Sequence, residues 1–318
     1  MKVIVTGAAG FIATSLIPRL LAAGHEVWGI DNFFLGKREL VALHEGKPGF
    51  TFYELDLLER EKVAELFAYV RPDRIWHLAA NSDISFGTKY TDFDLKGGTL
   101  ATYNILEAMR LAGTKEIVFS SSGSIYGEPS VMPTPEDYGP LFTISLYAAS
   151  KVACETMITA FCHNYSMRCW IFRFGNIVGP YPTHGVIYDF IHKLQRDPTR
   201  LEVLGDGNQA KPYVHVEDCL DGMMFGQERT HDEVNCYNLA VHDQTSVNKI
   251  AVWTIEEMGL DPEKVRIERT GGRRGWLGDV PQVRLDTSRM EALGWLPKMS
   301  SDEAVRRSIR ECVEYLNK

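Results

Sequence analysis

The chain has 318 residues, 45% apolar and 24% charged, enough for a sizeable core and about two globular domains. Its formal net charge of −8 argues against a general nucleic-acid binder, which carries a basic field. No apolar run approaches the ~20 residues of a membrane span, and the six cysteines show neither a Cys-x-x-Cys nor a zinc-ligand spacing. The expectation is a soluble chain with free thiols, no metal and no membrane or nucleic-acid partner. "MKVIVTGAAG" has too short an apolar run for a signal peptide, so a cytoplasmic location is the default.

Short apolar runs alternate with helix-length amphipathic runs. In chain order "KVIVTG", "EVWGID", "FTFYELD", "RIWHLAA", "EIVFSSS", "CWIFRFGN" and "CYNLA" read as strands. They are rich in Val, Ile and Phe, and several lack polar alternation, as buried parallel strands do. Helices are predicted between and after them, at about 11–23, 59–69, 99–112, 147–165, 217–227 and 301–316. The pattern predicts an α/β fold: a doubly wound parallel sheet covered on both faces, with a smaller C-terminal lobe. The dinucleotide-type domain is expected over 1–175 plus about 213–240. The lobe is expected over about 176–212 and 241–318, where "GNIVGPYPTHG", "LGDGNQAKPY" and "RTGGRRGWLGD" are loop-rich.

"VTGAAGFIATSL" follows the first strand and opens the first helix. Gly7 allows a tight turn, Gly10 lets backbone approach a pyrophosphate, and Ala13 is small enough for close helix–strand packing. The helix start at Phe11 offers N–H groups and a positive dipole end to that phosphate. The second strand ends at Asp31, where a carboxylate binds adenosine ribose hydroxyls or else serves a loop. An acid there would repel a 2′-phosphate, which favours NAD over NADP. Asp56 ends the third strand; it either accepts from an adenine amine or caps the helix that follows.

"SLYAASKVACE" places Tyr147 four residues ahead of Lys151, so both project from one helix face. A phenol near pKa ~10 is a poor base at neutral pH. A neighbouring ammonium, or a positively charged bound ring, is expected to lower it. Ser122 in "FSSSGSIYG" supplies a hydroxyl that could bond a sugar hydroxyl beside the phenol. Either motif alone reads equally as a solvated helix face or a strand-end turn.

The ordered set of glycine turn, Asp31, "HLAA", "SSS" and Tyr-x-x-x-Lys resembles the extended short-chain dehydrogenase/reductase family. Within it, the chain is similar to the UDP-galactose (UDP-glucose) 4-epimerase branch. "RFGNIVGP", "HGVIYDFI", "LEVLGDG", "KPYVHVEDC" and "GDVPQVRLDTSRMEALGW" extend the likeness over nearly the whole chain. The resemblance implies Tyr147 as catalytic acid and base, Lys151 as its tuner and a ribose contact, and Ser122 as helper. It implies cofactor contacts from Gly7, Gly10, Phe11, Ile12, Asp31, Asn32, Asp56, Leu57, Leu78, Ala79 and Ala80. Substrate contacts would come from Asn176, Val186, Leu204, Lys211, Arg274 and Asp279. Val283 falls where relatives limit the size of the sugar substituent.

The implied reaction is oxidation at the sugar C4 with NAD and return of hydride to the opposite face. A 4,6-dehydratase of the family usually carries a Glu-containing pair after this Ser/Thr; here Gly123 and Ser124 follow Ser122. A related dehydratase or oxidoreductase is the alternative, and a non-catalytic NAD-binding regulator an alternative of another class. Two departures stand out: the family asparagine shortly before "GT" is Leu95, and Lys211 replaces an arginine, losing the bidentate fork. Apolar residues beyond one stripe on helices 99–112 and 147–165 imply a homodimer.

Overall fold

A computed structural model of the chain describes residues 1–81, 83–272 and 283–317. Its elements begin β1 (Lys2–Thr6), α1 (Phe11–Ala22), β2 (Glu26–Asp31), α2 (Arg38–Ala42), β3 (Phe50–Glu54), α3 (Arg60–Val70), β4 (Arg74–His77) and α4 (Ile84–Lys89). Then come α5 (Ala101–Ala112), β5 (Glu116–Ser122), α6 (Leu146–Tyr165), β6 (Arg168–Phe174), β7 (Asn176–Val178), α7 (Val186–Arg196) and β8 (Arg200–Val203). The last are β9 (Ala210–Lys211), β10 (Tyr213–His215), α8 (Val216–Arg229), β11 (Val234–Leu239), β12 (Thr245–Ser246), α9 (Val247–Glu257), β13 (Arg266–Arg269), α10 (Ser288–Ala292) and α11 (Ser301–Leu316).

Two compact units emerge. The first is Met1–Gly127, Pro140–Arg173 and Met223–Tyr237; the second is Glu128–Gly139, Phe174–Gly222 and Asn238–Lys318.

The first unit is built on the seven-strand sheet, in the order β11-β6-β5-β4-β1-β2-β3. β1 pairs in parallel with both β2 and β4, β2 with β3, and β4 with β5. This is the doubly wound α/β fold the alternation predicts. The order reverses between β1 and β4, and the crevice beyond their carboxyl ends is where such sheets bind ligands. α3, α5 and α6 bury Phe67, Ile105 and Ile158 against Ile4, Ile75 and Ile117, all wholly inaccessible. Each such side chain contributes about 1.5–3 kcal/mol.

One helix departs from its predicted form. Spacing predicts a helix over 99–112, but a π-helix covers Leu95–Leu100 and α5 begins only at Ala101. The cause lies on α6. Ser150 Oγ donates to the Asp94 carbonyl at 2.8 Å and bonds Thr99 Oγ1 at 3.0 Å, pressing a side chain into this turn. Gly98 makes the room, since a Cβ there would lie 2.1 Å from Ser150 Oγ.

The second unit has three two-strand ladders, β10-β7, β12-β9 and β13-β8. The run "CWIFRFGN" was expected as one strand and divides at Gly175. There the backbone turns so that Gly175 N–H meets Leu239 O at 2.8 Å and Asn176 N–H meets Pro212 O at 3.0 Å. α7, α9 and α11 enclose a core of Phe190, Ile191, Leu201, Ile250, Ile255 and Ile309. No helix among the described residues is long and apolar enough to cross a membrane.

Candidate active site

The glycine turn ends β1 and starts α1 with Gly10 as N-cap and no side-chain cap. The first N–H groups of that helix therefore have no intrahelical partner. Gly7 has φ +70°, and a Cβ on it would lie 2.9 Å from the Ala79 nitrogen. Only glycine satisfies both conditions. Gly10, Phe11 and Ile12 are half-buried, as are Leu78, Ala79 and Ala80 just beyond β4. Thr6 Oγ1 accepts from Ala79 N–H at 3.2 Å and contacts His77 Nδ1 at 2.7 Å, tying the ends of β1 and β4 together. A bare helix start, a glycine cradle and a carboxylate at the end of β2 fit a dinucleotide.

That carboxylate, Asp31, also holds the turn. It accepts from Ala9 N–H at 3.0 Å and from Phe33 N–H at 2.8 Å. Burial raises its pKa above the ordinary carboxylate value, and these backbone donors oppose the rise. Asn32 is exposed and its Nδ2 donates to Asp56 Oδ2 at 3.0 Å. Asp56 does not cap α3, whose N-cap is Glu59; it accepts from Leu58 N–H at 2.8 Å in the turn before it. The Leu57 side chain belongs to the core, and its carbonyl accepts from Asn104.

The second group forms where β5 meets α6. Ser122 is the last residue of β5; its Oγ accepts from Ser124 N–H and lies 2.9 Å from Ser124 Oγ. Ser145 caps α6 by accepting from Ala148 N–H at 3.2 Å, so Tyr147 stands in the first turn and Lys151 one turn on. Lys151 is only 4% exposed. Its Nζ donates to Ser120 O at 2.6 Å and stands 4.6 Å from the Phe119 ring centre and 5.8 Å from that of Tyr147.

The electrostatics reverse one expectation. A nearby ammonium was expected to lower the Tyr147 phenol, yet burial pushes it up to about 12. A hydrogen bond with the Ser122 side chain works against the rise, and Asp94 and Cys154 add to it. Burial pulls Lys151 down to about 8, while Cys154, Glu155 and Asp94 hold it up. In this state Tyr147 keeps its proton, and a further positive charge is needed to release it.

Sequence reasoning missed the support behind this pair. Glu155, one turn beyond Lys151, forms a buried ion pair with Arg173 of β6 at 2.7 Å, both under 10% exposed. Ser121 Oγ also donates to Glu155, and Arg173 donates to the Tyr126 hydroxyl at 2.9 Å. Glu155 was visible at i+4 from Lys151, but nothing in the sequence marked Arg173 as its partner. Leu95 is 52% exposed, while the neighbouring Asp94 is 2% exposed.

In the second unit β7 and β10 pair Asn176 with Tyr213, which brings Asn176 beside the strand segment that follows Lys211. Val186 starts α7, and the exposed Leu204 lies just past β8. Val283 O accepts from Gln244 Nε2 at 2.6 Å. Arg274 and Asp279 lie outside the described residues.

Known proteins share this architecture. The model of the NAD dependent epimerase/dehydratase family matches residues 3–240. A UDP-glucose 4-epimerase of Mycolicibacterium smegmatis is 32% identical across 97% of this chain and 97% of its own. UDP-glucuronic acid decarboxylase 4 of Arabidopsis thaliana is 28% identical across 98% of this chain and 68% of its own. A crystal structure of a UDP-galactose 4-epimerase superposes with a TM-score of 0.87 at 33% identity, covering 99% of this chain and 100% of that one. The Thermus thermophilus UDP-glucose 4-epimerase in complex with NAD superposes at 0.85 with 30% identity, covering 98% of each chain.

Proposed function

The chain belongs to the NAD-dependent epimerase/dehydratase family, and from that premise we propose that it is a 4-epimerase of a nucleotide-activated sugar, with a UDP-sugar as substrate. NAD is its cofactor. We place it on the glycine turn, Asp31 and the end of β4, with Asn32 and the Asp56–Leu57 backbone beside the adenosine.

The observation that carries the epimerase reading is the company Ser122 keeps. The residues after it, Gly123 and Ser124, form a 3-10 turn that Ser122 itself caps. They present a hydroxyl where removal of water would need a carboxylic acid. Simple proton exchange at one hydroxyl needs only the phenol.

Bound NAD would supply a hydride acceptor that can return what it takes and, when oxidised, a positive charge. The protein's part is proton handling and orientation. Ser122 Oγ and the Tyr147 hydroxyl face the sugar 4-hydroxyl. Tyr147 takes that proton as the sugar becomes a 4-ketone and gives it back as the inverted alcohol forms. Lys151, fixed by Ser120 O, holds its charge beside the phenol. In the second unit, Asn176, Val186, Leu204 and Lys211 are the proposed nucleotide contacts. We also infer a homodimer through α5 and α6, where Leu111 and Tyr165 are exposed, as is Leu100 at the end of the π-helix before α5; a monomer by light scattering at micromolar concentration would refute it.

The test is proton NMR in deuterated water with UDP-galactose, UDP-N-acetylgalactosamine and UDP-galacturonate offered separately, without added NADH. The expected result is conversion to the 4-epimer with no deuterium at C4, and the fastest substrate names the sugar series. Deuterium at C5, a stable ketone or no conversion of any of the three would overturn the proposal.

A further inference from the structure

The buried charges around α6 do not balance until one more residue is counted. Lys151 is 4% exposed, and no carboxylate among the described residues lies within ion-pair distance of it. Two carboxylates, Glu155 and Asp94, act on its charge from beyond that distance, and Lys151 acts on Asp94 in return. Glu155 is already matched by Arg173, which donates to both its oxygens at 3.1 and 2.7 Å. That leaves Asp94.

Asp94 is 2% exposed. Its Oδ1 accepts from Asn81 Nδ2 at 3.0 Å, and its Oδ2 is buried with no hydrogen-bond partner among the described residues. Gly87 of α4 leaves the space that this oxygen fills, because a Cβ there would lie 2.0 Å from it. The residue is fixed to α6 as well, through the bond from Ser150 Oγ, the neighbour of Lys151, to its carbonyl. The π-helix sets this arrangement: it turns Leu95 out to solvent and Asp94 inward. A buried carboxylate with an unmatched oxygen is costly unless a cation compensates it. A buried ammonium without a carboxylate is costly for the same reason.

We propose that Asp94 is the counter-charge of Lys151, a positioning residue that the π-helix register delivers to the acid–base pair and that keeps the lysine protonated. This rests on reading Tyr147 and Lys151 as that pair. The groups facing the lysine are Asp94, Glu155 and Cys154, with the neutral His77 of β4 and the Tyr147 phenol. Of these, Cys154 and Tyr147 are uncharged near neutral pH because burial raises both. The direction agrees with the geometry: Asp94 opposes the fall that burial imposes on Lys151.

The experiment is a 13C NMR titration of protein carrying 13Cε-lysine, with NAD bound, from pH 6 to 10. Lys151→Met assigns the resonance. The parent midpoint is expected near 8. Asp94→Asn keeps the shape and the contact with Asn81 but removes the charge, and the midpoint is expected to fall by about one unit. The fraction of charged lysine at pH 8 then drops about fivefold, and the alkaline limb of the pH–rate profile moves down with it. Asp94→Glu, which restores the charge, is expected to recover most of the shift. Leu95→Asn, changed on the solvent side, is expected to leave the midpoint in place. If Asp94→Asn does not fold, Asp94→Ser takes its place. A midpoint unmoved by removal of the carboxylate, or moved equally by Leu95→Asn, would overturn the proposal. The titration needs no turnover, so it stands or falls separately from the epimerase reading.

Discussion

Both units bond polar side chains to one another and to backbone, but they do so at different places. In the first, buried side chains bond to other buried side chains: Thr6 to His77, His77 to Thr102, and Ser121 to Glu155 to Arg173. In the second, side chains clamp backbone. Asn238 Nδ2 donates to Thr134 O and Asp286 O, and Asp218 Oδ2 accepts from the N–H groups of Lys298 and Met299. The difference follows from the sheets. A seven-strand parallel sheet satisfies its own backbone, whereas two-strand ladders leave long loops whose N–H and C=O groups need partners. The first unit should therefore fail by losing a chemical group, the second by losing the shape of a loop.

The sharpest break is expected at Tyr147. Tyr147→Phe removes one oxygen whose bond is to the Ser122 side chain. Turnover should fall by about a thousandfold or more, while the melting temperature stays within a few degrees. Unchanged turnover would end the acid–base assignment. Next comes Glu155→Gln, one turn from the lysine. It strands the Arg173 charge at 8% exposure, and breaking such a buried pair costs about 3–5 kcal/mol. Urea unfolding should show that loss; a change below about 1 kcal/mol would mean that the network does not brace the helix.

These two residues also mark how far the sequence could be read. The alternation of strands and helices is legible because β1 to β6 are long enough to show composition and period. Tyr147 and Lys151 are legible because helical spacing alone puts them on one face. Glu155 shares that face, yet its partner comes from β6, and only the packing of α6 on the sheet brings them together. Asp94 is hidden for a different reason. Ordinary α-helical counting through "DLKGGTL" misses the π-helix, and with it the residue that turns inward. In the second unit β9 and β12 have two residues each, too short for any period. The nearness of Asn176 to Lys211 depends on a pairing between β7 and β10 that nothing local announces.

Acid should weaken the first unit by a smaller margin. His77 and His44 both belong to it. Burial holds His77 down to about 3, with Lys151 adding to the effect, and His44 down to about 4, with Lys47 adding. Both are neutral in the folded and unfolded chain above the unfolded value of ~6.5. Below it the unfolded chain binds protons that the fold refuses, so stability drops as pH falls from 6.5 toward those folded values. At pH 5.5 the wholly buried His77 costs about 1.4 kcal/mol, and His44, only 1% exposed, adds a comparable amount. Hydrogen exchange between pH 6.5 and 5.5 should show β4 losing protection; protection unchanged there would undo the argument.

The finest test sets two helix caps against each other. Ser145 begins α6 in the first unit, accepting from Ala148 N–H at 3.2 Å. Ser300 begins α11 in the second, in a capping box with Glu303 whose carboxylate accepts from Ser300 N–H at 2.8 Å. Alanine at either position removes the side-chain acceptor and should cost about 1 kcal/mol. The stability losses should match, but the consequences should not. Tyr147 lies two residues beyond Ser145, so fraying of the first turn moves the phenol relative to Ser122, and kcat should fall severalfold with KM little changed. No proposed site residue lies on α11, so Ser300→Ala should lower the melting temperature by a degree or two and leave kcat alone. Equal losses of kcat in the two variants would mean that the first turn of α6 is held by its packing, not by its cap.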